Sequence, residues 1–119
     1  MGFAERFEDL EIWQEARRLH MGVYTLLRSC DGFSFRDQMR RAALSVMNNA
    51  AEGFERRTRK DFAHFLDLAK ASAGVVRSMT YAAQDVDITS ETETSALRHD
   101  YELLSKRIAS FQRHLRRSL

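Results

Sequence analysis

The chain has 119 residues, no proline, five glycines, one cysteine and a formal net charge of +2. This length is typical of one domain and sufficient for one hydrophobic core, while the shortage of turn-forming residues argues against a β-sandwich or barrel. The lone cysteine excludes an intrachain disulfide, no apolar run approaches the ~20 residues that span a bilayer, and the first residues lack the pattern of a signal peptide. We therefore expect one cytoplasmic domain without a membrane role.

The small net charge hides an uneven distribution along the chain. Residues 1–35 carry a net charge of −2, residues 36–77 +4, residues 78–105 −5 and residues 106–119 +5. This alternation predicts separate charged surface patches rather than one uniformly basic body.

The first predicted helix covers residues 8–29. Its apolar residues recur every three or four positions, as on one face of a helix, and are Ile12, Ala16, Leu19, Val23, Leu26 and Cys30. A second stripe lies beside the first and contains Leu10, Trp13, His20, Tyr24 and Leu27. We expect Asp31 and Gly32 to end the helix, with Gly32 in a left-handed conformation. Two adjoining stripes are more than one core requires, which predicts self-association.

The second predicted helix covers residues 35–55, with Ser34 and Asp37 as its capping box. Its apolar face consists mainly of small residues, so a neighbouring helix can approach closely. The third predicted helix covers residues 59–86, with Thr58 and Asp61 as its capping box. It also has two stripes, the second of which contains Leu68, Val75, Met79 and Val86.

The fourth predicted helix covers residues 91–117 and begins after Ser90, whose capping partner is Glu93. Its single stripe has a period near 3.5 and contains Leu97, Tyr101, Leu104, Ile108, Phe111 and Leu115. Four helices joined by short connections favour an all-α fold of antiparallel neighbours, the up-down-up-down four-helix bundle.

Several of these motifs resemble a known family. They are Phe7-x-x-Leu10-x-x-Trp13-x-x-Ala16, the segment DQMRRAALSVMNNAAEGFERRT over residues 37–58, and DFAHFLDLAKAS over residues 61–72. With them the chain resembles the bacterial four-helix bundle proteins first noticed as reading frames in intervening sequences of large-subunit ribosomal RNA genes. It departs from the family pattern at Met47, where proline is frequent, and after Ser72, where an acidic residue is frequent.

The resemblance implies a non-enzymatic bundle without cofactor that assembles into a homopentameric ring. A family of similar fold, the accessory proteins of diversity-generating retroelements, binds nucleic acid and a reverse transcriptase. From the resemblance we therefore expect copies of the chain itself as partners, with RNA or DNA and a protein such as a reverse transcriptase as further candidates.

Basic residues near the connection of helices two and three are the first candidate site. They are Arg56, Arg57, Arg59 and Lys60, with Arg40 and Arg41 towards the other end of helix two. Such a cluster neutralises phosphates and binds nucleic acid without reading its sequence. The alternative is a solvated turn whose arginines pair with the carboxylates of Glu52, Glu55 and Asp61.

The second candidate is the C-terminal run of Lys106, Arg107, Arg113, His114, Arg116 and Arg117. Cations are favoured at a helix C-terminus by the dipole alone, so this run also has a purely structural explanation. Stacking of nucleic acid bases is not expected, because the aromatic residues fall on the apolar stripes.

Six further residues are predicted to serve the core or an interface: Trp13, Asn49, Glu52, Gly53, Phe62 and Phe65. Asn49 and Glu52 share a helix face, and we expect them to fix helix register or a subunit joint rather than to act as catalytic residues. Only Asp61-x-x-His64 resembles half of a bundle metal motif, and no nucleophile or phosphate-loop motif is present. We therefore predict neither a catalytic nor a metal site. The leading hypothesis is a nucleic-acid-binding homo-oligomer, and the alternative is a structural or protein-binding oligomer.

Overall fold

A computed structural model of the chain describes residues 4–117. Within this range the backbone forms four α-helices and no strand, so the predicted all-α class is confirmed. We label the helices α1 (Glu11–Leu27), α2 (Phe33–Phe54), α3 (Arg59–Asp85) and α4 (Glu91–Arg117); a short 3-10 helix, Phe7–Asp9, precedes α1. None of these helices combines the length and the hydropathy that crossing a membrane demands.

The four helices pack in a closed cycle. Each contacts its neighbours in the chain, and α4 returns to contact α1, whereas the diagonal pairs do not approach each other in the described part of the chain. The molecule measures 46 × 20 × 19 Å. Because one helix with its side chains is about 10 Å across, two helices fit in each short direction, as in a four-helix bundle.

The core is built from the predicted stripes. In α1 the first stripe is buried along its whole length, and in α4 five of the six stripe residues are buried and Phe111 is partly buried. The second apolar stripes of α1 and α3 are only partly buried. Leu10 and Leu27 are buried, whereas Tyr24, Leu68, Val75 and Val86 remain exposed. The wide apolar faces therefore leave apolar surface that one copy of the chain does not cover.

Both predicted ends of the first helix are wrong. Helix α1 begins three residues later than expected, because Leu10 has extended backbone and the 3-10 helix before it accounts for residues 7–9. It also ends earlier, at Leu27, where the amide of Cys30 bonds the Leu27 carbonyl at 2.9 Å and closes the last turn tightly. Gly32 has a negative φ of −73°. The left-handed residue is instead Asp87, with φ 60°, just after α3.

Two of the three predicted caps are confirmed. The Asp61 amide donates to Thr58 Oγ1 at 3.0 Å, and the Glu93 amide donates to Ser90 Oγ at 3.3 Å. The cap at Ser34 is wrong, because α2 begins one residue before it and has no side-chain cap. The Arg36 amide bonds the Gly32 carbonyl at 3.0 Å, which makes Gly32 the residue preceding the first turn.

Candidate nucleic-acid interface

The connection between α2 and α3 is a tight turn made possible by Gly53. A Cβ atom at this position would lie 2.8 Å from the Phe62 ring and 2.9 Å from Phe65 Cβ. These distances are below van der Waals contact, so only glycine lets the end of α2 pass this closely over the first turns of α3. The short turn then presents residues 55–60 at the end of the bundle.

The basic residues of this turn are mostly without acidic partners. Arg57 and Lys60 are exposed and Arg59 is partly exposed. Within residues 4–117, no carboxylate oxygen lies within 4.0 Å of the charged nitrogens of these three side chains. Of the three arginines that the alternative expects to pair with neighbouring carboxylates, Arg57 and Arg59 therefore have no such partner among the described residues.

Arg56 is the fourth member and is held differently. Its guanidinium lies 4.7 Å from the centre of the Phe65 ring and 4.0 Å from a carboxylate oxygen of Glu52. Both Arg56 and Glu52 are exposed, so this long ion pair adds little to stability. The ring contact orients Arg56 along α3 and leaves its charge at the surface.

The end of α4 lies beside the same turn. Gln112, only 2% exposed, donates from Nε2 to the Ala63 carbonyl at 2.9 Å and to Asp67 Oδ1 at 2.6 Å. One turn later, Arg116 Nη2 lies 3.0 Å from Asp67 Oδ2. Lys60 and Arg116 consequently line one surface hollow, together with His64.

Lys60 and Arg116, which are 56 positions apart in the sequence, are thus brought together. We call this surface the basic end and define it as Arg56, Arg57, Arg59, Lys60 and Arg116. The acceptance of hydrogen bonds from Gln112 and Arg116 lowers the pKa of Asp67. That carboxylate stays ionised and offsets one positive charge, so the net charge of the basic end remains positive.

Arg40 and Arg41 do not belong to the basic end, from which they are separated by about 20 Å of helix. The Arg40 guanidinium lies 4.1 Å from the centre of the Tyr24 ring, and its Nε is buried without a hydrogen-bond partner among the described residues. Arg41 Nε donates to Asp37 Oδ2 at 2.8 Å. The six basic residues predicted as one class of site therefore occupy two surfaces.

The predicted polar group of α2 is divided between two environments. Asn49 Nδ2 donates to the Ser45 carbonyl at 2.8 Å and to Ser45 Oγ at 2.9 Å. Ser45 Oγ in turn bonds Ser72 Oγ at 2.8 Å, which links α2 to α3. Glu52, by contrast, is exposed near Arg56. Asn49 thus supports a helix–helix contact, while its role at a subunit joint stays a prediction.

The three predicted aromatic residues differ in burial. Phe62 is fully buried and contacts the rings of Phe54 and Phe111 with centroid distances of 6.1 and 5.4 Å. Phe65 is partly buried under Arg56. Trp13 is also partly buried and lies edge-on to Phe7 at 5.1 Å. These contacts tie the 3-10 helix to α1 and the turn at Gly53 to the core.

The sequence did not predict the surface on which Arg40 and Arg41 lie beside aromatic side chains. It lies where the end of α1 meets the start of α2 and lines a second hollow, formed by Tyr24, Phe33, Arg36, Asp37, Arg40, Arg41 and Leu44. We call it the arginine–aromatic hollow. Tyr24 belongs to the second apolar stripe of α1 but is 43% exposed, and Phe33, which belongs to no predicted stripe, is 68% exposed. Phe33, Arg36 and Arg40 are spaced by three and four residues, which places them on one helix face. This spacing is the sequence signal that could have revealed the hollow.

Within residues 4–117, the side chains of His, Cys, Asp and Glu nowhere form a group of three or more that could hold a metal ion. The search of curated proteins finds no match to this chain. The model of one family, described as 23S rRNA-intervening sequence protein, matches residues 8–110, which include α1, α2, α3 and most of α4. The chain therefore belongs to the 23S rRNA-intervening sequence protein family, as the motifs of α1, α2 and α3 indicated.

Proposed function

We propose that this protein is a non-enzymatic, homo-oligomeric adaptor that binds RNA or DNA electrostatically through the basic end. The observation that carries the proposal is the meeting of Lys60 and Arg116 in one hollow, beside two more cations, Arg57 and Arg59, that have no carboxylate within 4.0 Å among the described residues. The name of the family, which refers to an intervening sequence of ribosomal RNA, agrees with an RNA-associated role.

The position of these cations argues for an anionic partner. Arg59 and Lys60 are the first two residues of α3, where the helix dipole is positive and disfavours further positive charge. Their presence therefore does not serve the stability of α3. A phosphate bound at the end of α3 would interact favourably with the helix dipole and with both side chains, and would release counterions from the nucleic acid.

We further infer the antiparallel up-down-up-down arrangement for the bundle. Contacts between neighbouring helices support it, since residues further along one helix meet residues that come earlier in the other. The Arg98 side chain, early in α4, donates to Gln84, late in α3, while Gln112 bonds Ala63. Arg18 of α1 reaches Asp100 of α4 at 3.3 Å, whereas Gly22, one turn later in α1, lies against Leu97, which comes earlier in α4; a Cβ at Gly22 would be 3.1 Å from Leu97 Cδ1.

Assembly into a homo-oligomer, by resemblance a pentamer, would repeat the basic end around an axis. Single weak phosphate contacts would then add through multivalency. Exposed apolar side chains on α2 and α3, namely Leu44, Leu68 and Val75, support self-association, because one copy leaves them uncovered. A cytoplasmic location, the absence of a cofactor and a protein partner such as a reverse transcriptase complete the proposal.

The proposal is tested by binding of a structured RNA and a duplex DNA at rising salt concentration. The variant Arg57→Ala/Lys60→Ala removes two exposed cations of the basic end, and Arg17→Ala/Arg28→Ala removes two exposed positive charges elsewhere on the surface. We expect the first variant to bind more weakly and to reduce the slope of log affinity against log salt by about 2. The control should retain most of the affinity. Equal affinities of the two variants, or no binding by the unmodified protein at low salt, would refute the proposal.

The alternative function is a structural or protein-binding oligomer, which the exposed apolar side chains of α2 and α3 also favour. It predicts oligomers without measurable affinity for nucleic acid. Light scattering measures the assembly independently of binding. A mass near 13.8 kDa, the value of one chain, would contradict both the nucleic-acid-binding oligomer and the structural or protein-binding oligomer.

A further inference from the structure

The arginine–aromatic hollow is chemically different from the basic end. Phe33 is the first residue of α2 and is 68% exposed, so its ring is not part of the buried core. The guanidinium of Arg36 lies 5.9 Å from the centre of its ring. Arg36 also donates from Nη1 to the Cys30 carbonyl at 3.0 Å, which ties the start of α2 to the end of α1. The ring is therefore presented at the surface by a braced turn.

Tyr24 and Arg40 form the opposite wall of the hollow. Tyr24 is 43% exposed and its ring lies under the Arg40 guanidinium at 4.1 Å. The buried Nε of Arg40 has no acceptor among the described residues. The positive charge of Arg40 is available to a ligand, because in the described part of the chain no carboxylate oxygen lies within 4.0 Å of its guanidinium.

The charge of the hollow suits a phosphate. Three arginines face one carboxylate, Asp37, which pairs with Arg41. That pair is exposed, with 79% and 41% of the two side chains accessible, so it is weak and exchanges readily for a phosphate contact. The hollow thus offers two kinds of contact side by side, namely cations for a phosphate and ring faces for a planar group.

From this arrangement we infer that the arginine–aromatic hollow binds an unpaired nucleotide of single-stranded nucleic acid, with the base stacked on Phe33 and the adjoining phosphate held by Arg41 and Arg40. The inference rests on the proposed nucleic-acid function and gives it a preference for single strands. Every base has a π face, so stacking of this kind tolerates any sequence. Bases within a duplex are stacked on each other and do not offer that face.

The test compares binding of an unstructured oligouridine and of an RNA duplex of the same length. The variant Phe33→Ala removes the ring, Phe33→Tyr keeps it, and Leu103→Ala removes an exposed apolar side chain from α4 as a matched control. We expect Phe33→Ala to weaken binding of oligouridine at least about fivefold and to change duplex binding by less than about twofold. Phe33→Tyr and Leu103→Ala should bind both probes as the unmodified protein does.

The outcomes separate this inference from the proposed function. If Arg57→Ala/Lys60→Ala weakens binding while Phe33→Ala has no effect, or the same effect on both probes, the hollow is not a nucleotide site and the basic end alone binds. If neither probe binds the unmodified protein, both proposals are overturned. Binding of a polyglutamate peptide with the same dependence on Phe33 would show that the hollow takes acidic protein segments, and would also overturn the inference. Circular dichroism of each variant verifies that the helices are retained.

Discussion

Gln112 Nε2 donates a hydrogen bond to the main-chain carbonyl of Ala63 at 2.9 Å, so that a buried amide of α4 is fixed to the second turn of α3. The same nitrogen donates to Asp67 at 2.6 Å. This polar contact inside an otherwise apolar layer sets the lengthwise position of α4 against α3 and thereby places Arg116 beside Lys60.

Replacement of Gln112 should therefore destabilise the protein. For Gln112→Ala we expect a loss of about 1–3 kcal/mol, because buried hydrogen bonds are removed together with buried side-chain volume. Unfolding in urea measures the effect. Gln38→Ala, at an exposed glutamine of α2, is the control and should change the free energy of unfolding by less than about 0.5 kcal/mol. Similar values for the two variants would show that the Gln112 contact carries no stability.

Two glycines should respond in opposite directions to replacement by alanine. Gly53→Ala forces a Cβ to 2.8 Å from the Phe62 ring and should cost about 1–3 kcal/mol. Gly74 lies inside α3, and a Cβ at this position would meet no atom within 4 Å apart from its chain neighbours and the adjacent backbone of the same helix. Gly74→Ala should stabilise by about 0.5–1 kcal/mol, because alanine loses less backbone entropy in a helix. Thermal unfolding followed by circular dichroism measures both, and a stabilising Gly53→Ala would contradict the close approach of α2 and α3.

Replacement by alanine should affect stability differently at Thr58 and at Ser34. Thr58 Oγ1 accepts a hydrogen bond from the Asp61 amide, so Thr58→Ala should cost about 0.5–2 kcal/mol. Ser34 does not cap α2, and Ser34→Ala should therefore leave stability within about 0.5 kcal/mol. Urea unfolding of both variants tests this difference. An equal loss at Ser34 would mean that α2 begins after Ser34, as its sequence suggests.

Stability should fall at acid pH in part through Asp67. Hydrogen bonds from Gln112 and Arg116 lower the pKa of this carboxyl in the folded protein. The ionised form therefore favours folding above the ordinary pKa, and this contribution is lost below about pH 4, as the pH falls through the lowered value. In Asp67→Asn, the midpoint of urea unfolding should therefore fall less steeply as the pH decreases below about pH 4.

Some acid dependence should remain in Asp67→Asn. Glu15 has its own lowered pKa, chiefly because its carboxylate accepts a hydrogen bond from Arg18. The double variant Asp67→Asn/Glu15→Gln should consequently be flatter than either single variant. If the urea midpoint of Asp67→Asn depended on acid pH in the same way as that of the unmodified protein, the contact with Gln112 would not depend on the charge of Asp67.

Much of the fold could be predicted because it depends on local periodicity. Ile12, Ala16 and Leu19 are buried as their spacing requires, and the cap at Thr58 follows from two residues three positions apart. The start of α2 could not be read in this way. Ser34 and Asp37 fit a capping box, but Arg36 bonds the carbonyls of Gly32 and Cys30, which begins the helix earlier. Packing against the end of α1 outweighed the local preference for a serine cap.

The candidate site, like the fold, could be predicted from the sequence only in part. The sequence alone indicated the basic character of residues 56–60 and of the end of α4, because charge is a property of composition. It could not indicate that Arg57, Arg59 and Lys60 would lack nearby carboxylates among the described residues, or that Phe33 would be left exposed. Those features depend on distances between side chains of different turns and helices.

The sequence by itself determined the helices, most of their buried faces and the family, since each depends on residues within a few turns of one another. Only the tertiary structure decided which charges meet. Lys60 and Arg116 are neighbours because Gln112 fixes α4 on α3, whereas Arg40 and Arg41 of α2 lie at a separate surface with Tyr24 and the exposed Phe33. The physical reason is that periodicity sets which face of a helix is buried, but long-range packing sets which helix ends lie together.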